Sequence, residues 1–220
     1  MKKRFETVVF DFDGTLADTF RGVRLCFLEA LNAYGYDEPD ENRLHSFLGP
    51  PLFDSFMLYC ADEKTARLMV DKYRERYRAG GMLECDLYDG IKTVIAQLNE
   101  SGVKMAIASS KPGEFVKQLL SHFGIENYFA FISAPVIGKP EPTKCELINA
   151  AVAALGADRS ATAMVGDRRF DVEGAKQAGV TGIGVLYGFG SEKELKEYGA
   201  DFICQTPKQI SELILNESNR

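Results

Sequence analysis

The chain has 220 residues, 45% of them hydrophobic and 26% charged, with a formal net charge of −6. That length allows one large domain or two unequal ones, and the composition excludes a mostly disordered or collagen-like chain. Twenty-six basic against 32 acidic residues argue against a partner of the nucleic-acid polymer type, while a small phosphorylated molecule remains compatible with a locally positive pocket.

Residues 5–11 carry the apolar run Val8, Val9, Phe10, which predicts a buried strand ending at Asp11. The run is too short for a signal peptide or a membrane span, so no membrane association is expected. From 16 to 34 the apolar spacing turns helical, and Gly35 fits its end. Residues 36–47 are polar and include Pro39. Gly49-Pro50-Pro51 forms a rigid turn, and helices are predicted at 52–60 and 62–79 before Gly80-Gly81.

Beyond residue 87 the rhythm changes. A helix is predicted at 90–100, a strand at 103–108, a helix at 113–122 and a weaker strand at 128–133. A helix follows Pro142, then a strand at 161–166, a helix near 171–178 and a strand at 181–186. A short helix (192–198), a short strand (201–204) and a helix (207–215) complete the pattern. Strands alternating with helices give the expected class: α/β, a Rossmann-like, mostly parallel sheet flanked by helices. The expected division is an α/β core of residues 1–15 and 85–220, with a small all-helical cap inserted at 16–84.

The five cysteines, Cys26, Cys60, Cys85, Cys145 and Cys204, are scattered and form no CxxC pair; His45 and His122 are the only histidines. A zinc site and a disulfide scaffold are both unexpected, and a reducing, cytoplasmic location fits.

Open α/β sheets bind ligands at the carboxyl ends of their strands. Asp11 follows a buried run, where a carboxylate needs a partner or a metal. Asp13 lies two residues on, so both carboxylates can share one side of the chain, and Gly14 permits a sharp turn. Such a pair can divide nucleophile and acid–base roles, or it can cap the next helix. Ser109 and Ser110 stand at the end of another strand and before a helix start, fit for phosphate or for simple capping. Lys139, stiffened by Pro140 and Pro142, could offset a phosphoryl charge or sit solvated in a turn. Asp167 and Asp171 approach each other if a helix starts near Phe170, and with Asp11 they can assemble an oxygen-rich site suited to Mg2+, or else Asp171 is a helix N-terminal residue with Asp167 its cap. Gly182, Gly184, Gly188 and Gly190 read as close-packing or turn glycines. No nucleophile elbow, ATPase-type phosphate loop or dinucleotide fingerprint is found.

Four segments in this order resemble the haloacid dehalogenase-like hydrolase superfamily, in its phosphatase branch with a small helical cap. They are Phe10-Asp11-Phe12-Asp13-Gly14-Thr15-Leu16, Ala108-Ser109-Ser110-Lys111-Pro112, Gly138-Lys139-Pro140-Glu141-Pro142 and Gly166-Asp167-Arg168-Arg169-Phe170-Asp171. Leu48-Gly49-Pro50-Pro51 and Gly184-Val185-Leu186-Tyr187-Gly188-Phe189-Gly190 add a narrower likeness to the phosphoglycolate phosphatase and bacterial 5′-nucleotidase-like subgroups.

The resemblance implies Asp11 as the nucleophile that forms an aspartyl-phosphate, Asp13 as acid and base, and Ser109 and Lys139 as catalytic partners. It implies Mg2+ held by Asp11, Asp13 (through its carbonyl), Asp167 and Asp171. Phosphate or substrate would be met by Gly14, Thr15, Ser110 and Lys139, with Arg43, His45 and Gly49 as cap candidates facing substrate, although Arg43 and His45 read equally well as solvated loop residues. The expected activity is Mg2+-dependent hydrolysis of a small phosphorylated metabolite such as phosphoglycolate or a nucleoside 5′-monophosphate, by a monomer or weak homodimer. A phosphosugar mutase and a turnover-deficient metal-dependent interaction protein are the alternatives.

Overall fold

The computed structural model describes residues 3–38, 40–48 and 50–216. In chain order these form β1 (Thr7–Phe10), β2 (Ala17–Asp18), α1 (Phe20–Asn32), α2 (Glu41–Ser46), α3 (Leu52–Met57) and α4 (Glu63–Arg78). Then come β3 (Asp86–Leu87), α5 (Ile91–Glu100), β4 (Lys104–Ala108), α6 (Gly113–His122), β5 (Phe131–Ser133) and α7 (Lys144–Leu155). The rest is β6 (Thr162–Gly166), α8 (Arg169–Ala178), β7 (Thr181–Val185), α9 (Glu192–Glu197), β8 (Phe202–Cys204) and α10 (Pro207–Leu215). The chain divides into two compact units, one of Met1–Ala17 with Leu87–Arg220 and one of Asp18–Asp86.

The larger unit is built on a six-stranded sheet in the order β5-β4-β1-β6-β7-β8. Its neighbouring strands are all parallel. Strand β1 is buried at all four positions, as a central strand covered on both faces must be. Val9 packs with Leu147, Ile148, Ala151 and Val152 of α7 and with Ala175 and Ala178 of α8. Its neighbours Val8 and Phe10 therefore face the other way, where the Phe10 ring meets the edge of Phe129.

After β1 the chain builds β4 and β5 on one side, then returns to build β6, β7 and β8 on the other. The crevice beside β1 is thus the switch point where such sheets bind ligands. Register sharpens this: Phe10 is level with Ile107 on β4 and with Val165 on β6. Asp11, Ala108 and Gly166 consequently leave the sheet in one row, followed directly by Ser109 and Asp167.

The smaller unit is helical. Phe27 stacks on Phe56 at 4.4 Å and on Phe47 at 4.7 Å between ring centroids. Asp62 caps α4 by accepting from the Thr65 amide at 2.9 Å. Two features depart from the sequence reading. The segment 36–47 contains α2, whose six residues are too few and too polar to show an apolar period, with Leu44 its buried anchor. The helix expected from residue 16 starts only at Phe20, because residues 12–17 close a tight turn in which Leu16 and Ala17 donate to the Phe12 carbonyl.

Candidate active site

Asp11 stands one residue past β1. Its Oδ1 accepts from the Phe12 amide at 2.7 Å, and its Oδ2 lies 3.1 Å from Lys144 Nζ. Asp167 follows β6 and is fully buried; its Oδ1 accepts from Thr15 Oγ1 at 3.3 Å and its Oδ2 from the Phe189 amide at 2.8 Å. Asp171 sits in the first turn of α8, where its Oδ2 accepts from the Arg168 amide at 3.0 Å and its Oδ1 lies 2.9 Å from Lys144 Nζ. Ligating oxygens of Asp11, Asp167 and Asp171 all fall within 4.8 Å of one another.

The lysine of this cluster is Lys144, not Lys139. Lys144 is the first residue of α7, which Thr143 and Glu146 start with a reciprocal capping box. Residues 144, 147, 148, 151 and 152 fall on one face at i, i+3, i+4, i+7 and i+8, so Lys144 extends the stripe that α7 buries against the sheet. Its Nζ also donates to the Ala108 carbonyl at 3.1 Å, which gives the ammonium's three protons three acceptors. Lys139, by contrast, is exposed in the loop between β5 and α7, where its amide donates to the Val136 carbonyl to close a turn.

A second lysine was also missed: Lys111, mostly buried, lies 3.0 Å from Asp13 Oδ1. Its amide donates to Ser109 Oγ at 3.3 Å, so the β4–α6 turn presents Ser109 and Lys111 together. The sequence signal was a lysine between a strand end and Pro112, two residues after a buried serine. Ser109 is buried and Ser110 exposed. Gly14 adopts φ +76° beneath Asp167, and Thr15 is occupied by Asp167 rather than left open.

In the helical unit, Arg43 Nε lies 3.1 Å from Glu38 Oε2 and its guanidinium stands over the Tyr59 ring. His45 stacks on Phe20 at 3.7 Å. Both side chains are engaged within that unit. Gly49 lies outside the described residues.

Electrostatics follow from this packing. Burial pushes Asp11 up to about 7; Lys144 opposes the rise, and Asp171 and Asp13 add to it. Burial, then the charges of Asp171 and Asp11, push Asp167 well above the usual carboxylate range. For Lys144 burial alone would favour the neutral amine, yet Asp11 and Asp171 outweigh it and hold the ammonium above its ordinary value. Tyr187, half-buried, is likewise raised, by desolvation and then by the Asp167 charge, and its hydroxyl donates to the Thr15 carbonyl at 2.9 Å.

The residues fit a hard divalent cation. Three converging carboxylates supply oxygen donors against the single ammonium charge of Lys144. Asp11, Asp167 and Asp171 would hold it. This aspartate triad, with a carboxylate at the row of strand ends, is capable of aspartyl-phosphate chemistry.

Comparison with known proteins agrees. A protein named 5′-nucleotidase from Pseudomonas aeruginosa is 39% identical over 202 residues, covering 91% of this chain and 91% of that one. Tyrosine-protein kinase PtkA of Mycobacterium tuberculosis is 34% identical over 205 residues, covering 93% of this chain and 67% of that one. The crystal structure of a "predicted phosphatase" from Clostridium acetobutylicum superposes with a TM-score of 0.88 at 38% identity, over 94% of this chain and 97% of that one. The profile described as haloacid dehalogenase-like hydrolase matches residues 8–185, and with this fold and aspartate cluster the chain belongs to that family, in its phosphatase branch.

Proposed function

We propose that the protein is a Mg2+-dependent phosphomonoesterase that works through an aspartyl-phosphate on Asp11. One observation carries the reading: Asp11 lies at a strand end in ion-pair contact with buried Lys144, beside Asp167 and Asp171, with Asp13 two residues on. A bound cation would offset the repulsion between the phosphate and the site's carboxylates.

Asp11 attacks phosphorus, and the bond to the leaving oxygen breaks as Asp13 gives that oxygen a proton. Asp13 then takes a proton from water, whose oxygen attacks the acyl phosphate, and Asp11 and inorganic phosphate are released. Lys144 stabilises charge on the transferring phosphoryl group, while the Ser109 hydroxyl holds one of its oxygens. The pairing of Asp13 with Lys111 orients the carboxylate for both proton transfers.

The substrate class is a small phosphorylated metabolite. The P. aeruginosa relative's name places nucleoside 5′-monophosphates first in the assay, and phosphoglycolate, the substrate in the name of a 29% identical Pectobacterium atrosepticum relative, second. Phosphate release from this panel, with and without Mg2+, tests the reading, with ATP plus a tyrosine peptide as a further arm. The D11N variant should fold and release no phosphate. Background release from every phosphomonoester in the presence of Mg2+, or full activity in D11N, would overturn it.

A further inference from the structure

We propose that residues 187–190, beyond β7, form a positioning strap that fixes Asp167 as a cation ligand; the inference rests on the metal reading above. Three contacts define the strap. The Phe189 amide donates to Asp167 Oδ2 at 2.8 Å. The Tyr187 hydroxyl donates to the Thr15 carbonyl at 2.9 Å, tying the strap to the turn that follows Asp13. The Tyr187 ring meets Tyr88 edge-on at 4.8 Å, which fixes its other flank.

The glycines explain how backbone comes so near a buried carboxylate. A Cβ on Gly188 would meet the Gly14 carbonyl oxygen and lie 2.8 Å from Asp167 Cγ. One on Gly190 would meet the Asp167 carbonyl oxygen, and one on Gly14 would lie 2.6 Å from Asp167 Cγ and 2.7 Å from Phe189 Cδ2. Asp167 therefore rests among three positions that tolerate no side chain. With one oxygen held by Thr15 and the other by the Phe189 amide, its carboxylate has a single orientation before any cation arrives. Outer contacts of this kind set the affinity of a ligating carboxylate, and their loss weakens metal binding by about 10–100-fold.

The segment after the strap braces the same loop from outside. Glu194 Oε1 accepts from Arg168 Nε at 3.0 Å and from the Arg169 amide at 2.9 Å. Residues 187–194 thus grip both ends of the turn that leads from Asp167 into α8.

The test is Mg2+ affinity by titration calorimetry and by Mg2+-dependent rise in Tm, in the full chain. F189P removes the amide proton, whereas the conservative F189L keeps it. F189P should bind Mg2+ about 10–100-fold more weakly than the wild type while its metal-free Tm stays within about 4 °C, and F189L should restore binding. If F189P does not fold, Y187F, which removes the hydroxyl that ties the strap to the Thr15 carbonyl, takes its place and should weaken Mg2+ binding by about 10-fold. Wild-type affinity in F189P, or in Y187F where that variant carries the test, overturns the strap alone. No Mg2+ response in the wild-type protein overturns the metal reading, and the strap's role with it.

Discussion

Replacing Lys144 by methionine keeps most of the side chain's length and apolar stem and removes its charge. In the wild type the ammonium bridges Asp11 at 3.1 Å and Asp171 at 2.9 Å, with its own side chain only 6% exposed. K144M leaves two buried carboxylates and the neighbouring Asp167 facing one another within 4.8 Å. At an effective dielectric constant near 20, two such charges repel by about 3.5 kcal/mol. Removing one partner of a buried ion pair costs about 3–5 kcal/mol in measured cases. For a chain of this size each kcal/mol lowers Tm by about 2–4 °C, so the metal-free variant should melt about 6–20 °C below the wild type. Saturating Mg2+ should recover part of that loss, because it neutralises the same carboxylates, while phosphate release stays about 100–1,000-fold down. K139A is the matched control, expected within about 0.5 kcal/mol of the wild type. Differential scanning fluorimetry and a phosphate-release assay read both variants. Loss of activity in K139A, with K144M as stable and active as the wild type, would refute the reasoning.

Metal-free stability should fall as pH rises from about 4 to about 7. Burial pushes Asp11 up to about 7 in the folded chain, against about 3.8 for an exposed carboxyl, so the native state holds the extra proton over that interval. The slope contributed by one such group reaches about 1.4 kcal/mol per pH unit. Mg2+ must displace that proton, so its stabilising effect, measured as the shift in Tm, should be larger at pH 8 than at pH 6. Gly174 on α8 faces the Lys144 stem: an added Cβ would lie 2.8 Å from Lys144 Cγ and 3.1 Å from Ile148 Cδ1. G174A should therefore cost about 1–3 kcal/mol in urea unfolding and lower turnover by displacing the ammonium.

The sequence made the sheet legible because its central strands carry unbroken apolar runs, at residues 8–10, 105–108 and 163–165, that lead to polar residues. Asp11, Ser109 and Asp167 could be marked from that ending alone, since parallel strands in register must bring their carboxyl ends into one row. Lys139 drew attention through its prolines and through motif likeness, both local cues. What decided the outcome was periodicity: Lys144 occupies a rung of the buried stripe of α7, and a lysine on an apolar stripe demands buried carboxylates. Lys111 was hidden for a different reason: its pairing with Asp13 links residues nearly a hundred positions apart, and the one local sign is its place between a strand end and Pro112. The helix α2 escaped because six polar residues show no period at all.

Phe10 being level with both Ile107 and Val165 has a consequence for how this molecule can change over time. The carboxylates of the site hang from the hydrogen-bond ladder of the backbone, so a one-residue insertion or deletion within the innermost strand would misplace Asp11 relative to both neighbours in a single step. The helical insertion is spliced in after residue 17 and leaves again at residue 86, outside that ladder. About seventy residues can therefore change in length or sequence without disturbing that ladder, which suits a scaffold whose relatives carry names as different as nucleotidase and kinase.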